Sequence, residues 1–287
     1  MKISIIIPFY KGEKYIQSLG DMICKNIAIL DGCNQVEVIL VNDSPEHTID
    51  LSGWSKNIDT KIIVNEHNEG IHRSRIRGLD IADGEYILFL DQDDLISDDC
   101  LKSQLDRIGE YDFVISNGYK MLSDGNKIPL YATEIRQECC LDLKYHYACS
   151  NPIVSPGQVL IKKAVIPKQW KEHVFLKNGA DDHFLWLLLL ETGKKGTLNS
   201  AMLYTHVETG INTSLNVDGM AASNLELVRA MEGIAAKSNL KKIVRRSLYY
   251  KNNPNRILTK IRFFDVGLRR LYYRVKYEQS LKGRNLC

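Results

Sequence analysis

Residues 86–94 read Tyr-Ile-Leu-Phe-Leu-Asp-Gln-Asp-Asp, an apolar run of strand type that ends in three carboxylates within four positions. A buried strand accommodates residues 86–90 easily. Asp91, Asp93 and Asp94 cannot follow them into the interior without partners, because an unpaired buried charge costs several kcal/mol. We therefore expect the three carboxylates at the C-terminal end of a buried strand, which is where open α/β sheets bind ligands.

Clustered carboxylate oxygens favour Mg²⁺ or Mn²⁺, and these cations in turn favour a diphosphate. The alternative interpretation is an acidic turn that caps a helix beginning near Asp98. An Asp-x-Asp pattern is common and does not by itself decide between a metal site and a turn. The choice depends on the rest of the chain.

The first 120 residues alternate strand and helix patterns. The predicted strands are 2–7, 36–41, 61–64, 86–90 and 113–116, and the predicted helices are 15–30, 69–81 and 98–108. This order predicts an α/β fold with a mostly parallel, Rossmann-like sheet and helices on both faces. Parallel strands place the polar residues that follow them at one edge of the sheet, so that they line one crevice. These residues are Pro8-Phe9-Tyr10, Asn42-Asp43-Ser44, Asn65-Glu66 and 91–94.

After residue 117 the pattern is less regular. We predict a hairpin around 124–126, a strand at 157–162 and helices at 181–191 and 219–238. The last 45 residues are predicted to be helical, with a break at Pro254. The expected divisions are two halves of one domain and a helical basic C-terminal extension, at 1–117, 118–218 and 219–287.

The chain has a formal net charge of +3, but the charge is distributed unevenly. Residues 241–287 contain 14 Lys or Arg and only two acids, Asp265 and Glu278, so that this segment carries +12 and the remainder −9. An acidic body with a basic tail predicts an anionic surface as the partner of the tail. No stretch approaches the roughly 20 apolar residues that span a bilayer. The first strand is too short for a signal-peptide core, and the seven cysteines include no CxxC pair, so we expect a cytosolic protein with reduced thiols.

Six segments, taken in order, resemble the family 2 glycosyltransferases, which have a GT-A fold. They are Ile3–Tyr10, Val38–Ser44, Asn68–Gly70 with Arg75 and Gly78, Asp83–Asp94, Ala180–Trp186, and Tyr204–His206. The sequence departs from the family pattern at Lys11, at Ser44-Pro45, at Ser74 and Ile76 beside Arg75, and at Asp181, where the family usually has Glu. These departures concern details of nucleotide recognition and leave the predicted fold unchanged.

The resemblance implies an inverting, metal-dependent glycosyltransferase that moves a sugar from a nucleotide sugar to a glycan acceptor in surface polysaccharide synthesis. Residues 1–117 would bind the donor, and residues 118–218 would bind the acceptor. Asp93 would bind Mn²⁺ or Mg²⁺ together with Asp91 and His206. Asp91 would also hold ribose or sugar hydroxyls, and Gln92 would bind the nucleotide sugar as well. A lone loop histidine is the alternative for His206.

The resemblance also suggests how the nucleotide is held. Asp43 would accept a hydrogen bond from the imide N–H of uracil, which favours UDP over GDP as the carrier; the alternative is an Asx turn. Pro8, Phe9 and Tyr10 would form a wall for the base, with core packing as the alternative for Phe9. Arg75 would face the nucleotide, although a surface role is the default for a lone arginine.

Asp182 is the predicted general base, with Asp181 as its rival and helix N-capping as the alternative for both. A base on the acceptor side implies a single displacement, and hence inversion at the anomeric carbon. Retention would require a nucleophile on the other face of the donor or a different route.

The tail mixes basic and aromatic residues, which is typical of a helix at the surface of an anionic membrane. We therefore expect a lipid-linked acceptor and a peripheral location on the inner face of the cell membrane. The alternatives are a solvated helix without a partner, a nucleotidyltransferase and a nucleic-acid-binding protein. Residues 8–12 form a poor phosphate loop for a nucleotidyltransferase, and the acidic body argues against a nucleic-acid partner.

Overall fold

The computed structural model describes residues 1–30, 32, 34–210 and 216–278, which form two compact units. The first, here called the sheet unit, comprises residues 1–130, 154–174 and 194–210. The second, here called the helical unit, comprises residues 131–153, 175–193 and the chain from 211 onward. The functional division at residues 117 and 218 stays a prediction.

The sheet unit is built on one mixed sheet. Its strands are β1 Lys2–Phe9, β2 Gln35–Asn42, β3 Asp59–Val64, β4 Tyr86–Phe89, β5 Leu95–Ile96, β6 Phe113–Met121, β7 Lys127–Pro129, β8 Val159–Lys162 and β9 Gly196–Val207. Their order is β3-β2-β1-β4-β8-β6-β9-β5, with β7 paired to β6. The first four strands in the chain pair in parallel, whereas β8 runs antiparallel to both β4 and β6. The predicted α/β class is confirmed. The strands β1 to β4, which come first in the chain, form the parallel part of the sheet.

Eleven α-helices are described. They are α1 Ile16–Ile29, α2 Ile71–Ile81, α3 Cys100–Ile108, α4 Glu134–Gln137, α5 Leu143–Ala148, α6 Lys168–Glu172, α7 Asp181–Glu191, α8 Val217–Ala230, α9 Lys237–Lys251, α10 Ile257–Arg262 and α11 Phe264–Glu278. The predicted helices at 15–30, 69–81, 98–108 and 181–191 are present, and Pro254 lies in the break between α9 and α10. In the part of the chain that is described, no helix is long and apolar enough to cross a membrane.

Strand β1 is buried on both faces, which explains its continuous apolar sequence. Ile3, Ile5 and Ile7 belong to a core cluster that also contains residues of α1 and α3. The opposite face of β1 meets α2, where Gly78 approaches closely: a Cβ added to Gly78 would lie 2.4 Å from the Ile6 side chain. A side chain at residue 78 would therefore push α2, and the residues that it carries, away from the sheet.

The longest strand, β9, was not predicted, because its twelve residues include asparagine, serine and threonine and lack a continuous apolar run. It pairs in parallel with β6 and antiparallel with the short β5, and its register with β6 shifts near Asn117. Its backbone hydrogen bonds come from strands that are distant in the sequence, a kind of support that a local pattern does not reveal. This strand brings Tyr204 and His206 beside the end of β4.

A buried carboxylate, Glu37, lies in the middle of β2 and is fully excluded from solvent. It accepts hydrogen bonds from the Ser4 hydroxyl at 2.5 Å and the Asp83 backbone N–H at 2.6 Å, and it forms ion pairs with Lys61 at 2.9 Å and Lys2 at 3.0 Å. Burial alone would raise the pKa of Glu37, but these partners outweigh it and lower the pKa to about 2. Glu37 is therefore ionised in the folded protein and ties β2 to β1 and β3.

Glu37→Gln should destabilise the protein at pH 7 by roughly 2–3 kcal/mol, because the buried partners lose their charge-assisted hydrogen bonds. The folded-state pKa of Glu37 lies below its ordinary value of 4.5. The contribution is therefore fully present above about pH 4.5 and is lost as the pH falls toward about 2. Urea unfolding at pH 7 and pH 3 measures both effects, with exposed Glu110→Gln as the control. An equal loss for Glu37→Gln at both pH values would contradict this account.

Candidate functional site

The carboxyl ends of the parallel strands gather the candidate residues at one edge of the sheet unit. Tyr10 follows β1, Asp43 follows β2, Asn65 follows β3 and Asp91 follows β4, and these four strands are parallel neighbours. The expected shared edge is therefore present. The contacts among these residues decide what the edge can bind.

Asp94 is the buried anchor of the acidic turn. It is 2 % exposed and accepts hydrogen bonds from the Tyr204 hydroxyl and, at 2.9 Å, from the Val207 backbone N–H. His206 Nδ1 forms an ion pair with Asp94 at 3.1 Å. Burial would lower the pKa of His206, but the hydrogen bond to Asp94 and the charges of the acidic turn outweigh it and raise the pKa. All three contacts come from β9, which thereby fixes the turn.

Asp91 is held by side chains outside β9, one from α2 and one from the segment before β8. The Arg75 guanidinium, on α2, donates to Asp91 Oδ1 at 2.5 Å, and the Ser155 hydroxyl donates to Oδ2 at 3.3 Å. Arg75 is only 3 % exposed, so that this charged pair is largely shielded from water. The prediction that Arg75 faces the nucleotide is untested, but its side chain does reach the acidic turn instead of the surface.

Asp93 is the carboxylate of the turn whose negative charge is least offset by neighbouring groups. Burial raises its pKa, and repulsion from Asp94 and Asp91 adds to this effect, so that the pKa reaches about 6. No side chain in the described ranges forms an ion pair with Asp93. A cation or a proton at this position would relieve the repulsion.

The residues present fit a divalent cation that is shared with a phosphate ligand. No group of three or more His, Cys, Asp or Glu side chains in residues 1–30, 34–210 and 216–278 is placed to hold a metal ion by itself. Asp93, Asp91 and His206 therefore do not form a preassembled set, and their roles as ligands stay predictions. Mg²⁺ and Mn²⁺ are often held by one or two carboxylates, with substrate phosphates and water as the remaining ligands. In His206 the Nδ1 atom contacts Asp94, which leaves Nε2 as the atom for a metal.

Asp43 fixes the start of α2. Its Oδ1 accepts hydrogen bonds from the Glu69 backbone N–H and from the Asn65 amide, both at 2.7 Å, and its Oδ2 accepts from the Gly70 N–H at 2.9 Å. Gly70 has φ of 88°, a conformation that favours glycine. Each carboxylate oxygen has lone pairs for more than one donor, and the hydrogen bond that Asp43 would accept from a nucleobase N–H stays a prediction.

The end of β1 is clamped to the acidic turn by Gln92. Its side-chain amide accepts from the Tyr10 N–H at 2.9 Å and donates to the Tyr10 carbonyl at 3.0 Å. Tyr10 is 44 % exposed, whereas Pro8 is buried and Phe9 is fully buried in the core cluster. Of the predicted base wall, Tyr10 is thus the residue that reaches the surface of the crevice.

Asp181 and Asp182 lie in the helical unit, in the first turn of α7. The Asn151 amide donates to Asp182 Oδ2 at 3.0 Å, and the His183 backbone N–H lies 2.6 Å from Oδ1. Asp181 is buried, whereas Asp182 is partly exposed. The role of Asp182 as base and that of Asp181 as its rival stay predictions.

Three side chains that support these acids escaped sequence reasoning: Tyr204, Ser155 and Asn151. Tyr204 stood in a recognised motif, but that motif was interpreted only for its histidine. Ser155 and Asn151 lie in an irregular segment whose spacing carries no period. Only their contacts with Asp94, Asp91 and Asp182 identify them.

A comparison with known families identifies the family of the chain. The sequence profile described as "Glycosyl transferase family 2" matches residues 4–166, which is more than half of the chain. The chain belongs to glycosyl transferase family 2. Family membership favours the glycosyltransferase interpretation over the nucleotidyltransferase and nucleic-acid-binding alternatives.

Among curated relatives, an uncharacterised glycosyltransferase of Haemophilus influenzae is 34 % identical over 136 residues, which cover 46 % of this chain and 52 % of that protein. The putative teichuronic acid biosynthesis glycosyltransferase TuaG of Bacillus subtilis is 28 % identical over 199 residues, which cover 67 % of this chain and 73 % of TuaG. The chain spans only 17 % and 36 % of the lengths of two further relatives, GlyA of Streptococcus pneumoniae and EpsH of Bacillus subtilis.

Among solved structures, the crystal structure of Staphylococcus aureus TarS 1–349 in complex with UDP-GlcNAc superposes with a TM-score of 0.63. The sequences are 18 % identical, and the match covers 87 % of this chain and 72 % of that chain. At this identity the likeness shows the fold alone, and it confirms the GT-A fold class.

Tyr204→Phe should destabilise the protein by roughly 1.5–3 kcal/mol, because buried Asp94 loses a hydrogen bond from a hydroxyl. Denaturant unfolding at pH 7 measures the loss. Tyr111→Phe removes a hydroxyl from a tyrosine that is 44 % exposed and should change the stability little. Equal stabilities for the two variants would show that Tyr204 does not anchor the turn.

Proposed function

We propose that this protein transfers a sugar from a UDP-sugar to a glycan acceptor, with inversion at the anomeric carbon and with a divalent cation. The acidic turn at the end of β4 carries the proposal. It places three carboxylates together, and the pKa of Asp93 rises to about 6 because the charge is incompletely compensated. A family 2 chain with such a turn at the edge of a parallel sheet has the parts that donor binding needs.

The choice of UDP draws on two observations. TarS, which shares the fold, has been crystallised with UDP-GlcNAc and with UDP. In this chain Asp43 is fixed by the backbone N–H groups of Glu69 and Gly70, just before α2, at the same sheet edge as Tyr10. A rigid carboxylate beside an exposed tyrosine suits a base with an imide N–H, and uracil is such a base.

Asp93, with Asp91 and His206, would hold Mn²⁺ or Mg²⁺, which when bound would offset the charge that develops on the departing diphosphate. Arg75 neutralises part of the charge on Asp91 and keeps that carboxylate oriented. Asp94 is occupied by contacts from β9 and supports the turn without ligating. Asp93 would therefore be the main carboxylate ligand, Asp91 would bind the cation while Arg75 and Ser155 orient it, and Asp94 would support the turn.

Asp182 would act as the general base and take the proton from the acceptor hydroxyl. The Asn151 amide donates to Oδ2, which orients the carboxylate. Asp181, which is buried behind it in the same helical turn, is the weaker candidate. A base that serves the acceptor directly leaves no covalent intermediate, and the configuration at the sugar inverts.

The acceptor is proposed to be a lipid-linked glycan of surface polysaccharide synthesis, reached at the inner face of the cell membrane. The names of relatives support this class: TuaG is assigned to teichuronic acid biosynthesis, and TarS is a poly(ribitol-phosphate) β-N-acetylglucosaminyltransferase. The basic segment 241–287 would contact the anionic membrane surface. Residues 279–287 of this segment lie outside the described residues.

Asp93→Asn should lower sugar transfer by at least about a hundredfold, because a neutral amide at this position cannot replace a carboxylate on a divalent cation. UDP release from a panel of UDP-sugars with Mn²⁺ measures turnover. Asp124→Asn, in an exposed hairpin turn, is the matched control and should behave as the wild type. Wild-type turnover by Asp93→Asn would remove Asp93 from the site.

Asp182→Asn should leave UDP binding near the wild-type value while the transfer rate falls by about 10²–10⁴-fold, since only proton removal is lost. Calorimetry with UDP and the kcat of transfer separate the two effects. Glu232→Gln, an exposed change in the same unit, is the control for a lost acid. A wild-type kcat would rule out Asp182 as the base.

A further inference from the structure

A closed ring of hydrogen bonds lies behind Asp43, the proposed acceptor for the imide N–H of the nucleobase. The Asn65 amide nitrogen donates to Asp43 Oδ1 at 2.7 Å, and the amide oxygen accepts from Arg77 Nη1 at 3.0 Å. Arg77 Nη2 forms an ion pair with Glu69 Oε1 at 2.5 Å, and the Glu69 backbone N–H donates to Asp43 Oδ1 at 2.7 Å. The ring therefore joins the carboxyl ends of β2 and β3 to α2.

The buried Asn65 side chain can take only one orientation in this ring. A carboxylate only accepts hydrogen bonds and a guanidinium only donates them, so that the amide nitrogen must face Asp43 and the amide oxygen must face Arg77. The same nitrogen also donates to Ser74 Oγ at 3.1 Å, at a position where the sequence departs from the family pattern. Both polar atoms of the amide therefore have partners that fix it.

The ring leaves one acceptor position on Asp43. An ionised carboxylate has about four lone-pair positions, two on each oxygen. Oδ1 accepts from Asn65 and Glu69, whereas Oδ2 accepts from the Gly70 N–H at 2.9 Å, and these are the donors to Asp43 in the part of the chain that the structure describes. One position on Oδ2 therefore remains for a further donor. Because Oδ1 is fixed by two hydrogen bonds, the direction in which Oδ2 accepts is fixed as well.

Arg77 acts on Asp43 through the Asn65 amide, which differs from the arrangement at the acidic turn. Arg75 donates directly to Asp91 and thereby fills an acceptor position of that carboxylate. At Asp43 the buried amide lies between the carboxylate and the guanidinium. The Arg77 guanidinium thus fixes the amide, and through it Oδ1, while the remaining position on Oδ2 stays available for a ligand.

We propose that Asn65 and Arg77 are positioning residues that direct Asp43 Oδ2 toward the imide N–H of uracil and thereby set a preference for uracil nucleotides. The proposal rests on the proposed UDP-sugar donor and on Asp43 as the acceptor for its base. Cytosine carries an unprotonated ring nitrogen where uracil has the imide N–H, so that a fixed Oδ2 would meet a second acceptor there. A site built for an N–H group rejects a base that lacks it, because the buried acceptor of the protein is left unpaired.

The test measures the binding of UDP and CDP to the full chain by calorimetry in the presence of Mn²⁺. The main variant is Arg77→Met, which removes both contacts of a guanidinium whose side chain is 35 % exposed and keeps an aliphatic side chain. The control is Arg73→Met. Arg73 lies on the same helix and pairs with Glu69 at 3.7 Å, whereas its contacts among the described residues do not include Asn65. A second variant, Asn65→Ala, removes the amide itself, and thermal unfolding shows whether each variant is folded.

The wild type should bind UDP about tenfold or more tightly than CDP, since one hydrogen bond to a charged group has this effect. Arg77→Met should lower the UDP-over-CDP preference by about three- to tenfold through weaker binding of UDP, and Asn65→Ala should lower it at least as much. Arg73→Met should keep the wild-type preference. A merely structural role of Arg77 would weaken the binding of both nucleotides equally, because they share the ribose and the diphosphate, and the preference would not change.

A wild-type preference for UDP in the folded Arg77→Met protein, or an equal loss of the preference in Arg73→Met, would overturn the proposal. Mn²⁺-linked binding of UDP by the wild type without a preference over CDP would also overturn it, but would leave the proposed transfer function standing. Absence of Mn²⁺-linked binding of either nucleotide to the wild type would contradict both the positioning roles and the proposed function.

Discussion

Repulsion among three carboxylates in one turn is the constraint on which the crevice depends. Asp94 is stabilised by β9, through a hydroxyl, a backbone N–H and an imidazole. Asp91 is stabilised by α2 and by Ser155. Asp93 remains, and burial together with repulsion from Asp94 and Asp91 raises its pKa. Contacts from β9, α2 and Ser155 thus compensate two of the three carboxylates, and the proposed cation would compensate the third.

The sequence was sufficient for the parts of the fold that have local signals. Strands β1, β2 and β4 are buried on both faces, and such strands are continuous apolar runs that end abruptly at the edge where ligands bind. The acidic turn was recognisable because three carboxylates within four positions cannot continue a buried strand unless each has a partner, as Glu37 does in β2. The family resemblance then gave the order of the motifs, and the match over residues 4–166 confirmed the family.

Other features depend on partners that are distant in the chain. Strand β9 is half polar and is stabilised by pairing with β6 and β5. Its own residues therefore did not predict a strand. Glu37 was unremarkable in the sequence, because its partners lie on β1, on β3 and beyond α2. Tyr204 and Ser155 gain their importance only from contacts with the acidic turn. The basic tail was evident from composition, but the exposed apolar residues of α10 and α11, such as Leu258 and Leu268, could be identified only from the structure.

The most direct measurement of the central claim is calorimetric titration of the wild-type protein with UDP, in the presence and in the absence of Mn²⁺. If the acidic turn binds a cation that is shared with a diphosphate, the affinity for UDP rises when Mn²⁺ is added. By linkage, the affinity for Mn²⁺ then rises by the same factor when UDP is present. A dissociation constant for UDP that is identical with and without the cation would contradict the account.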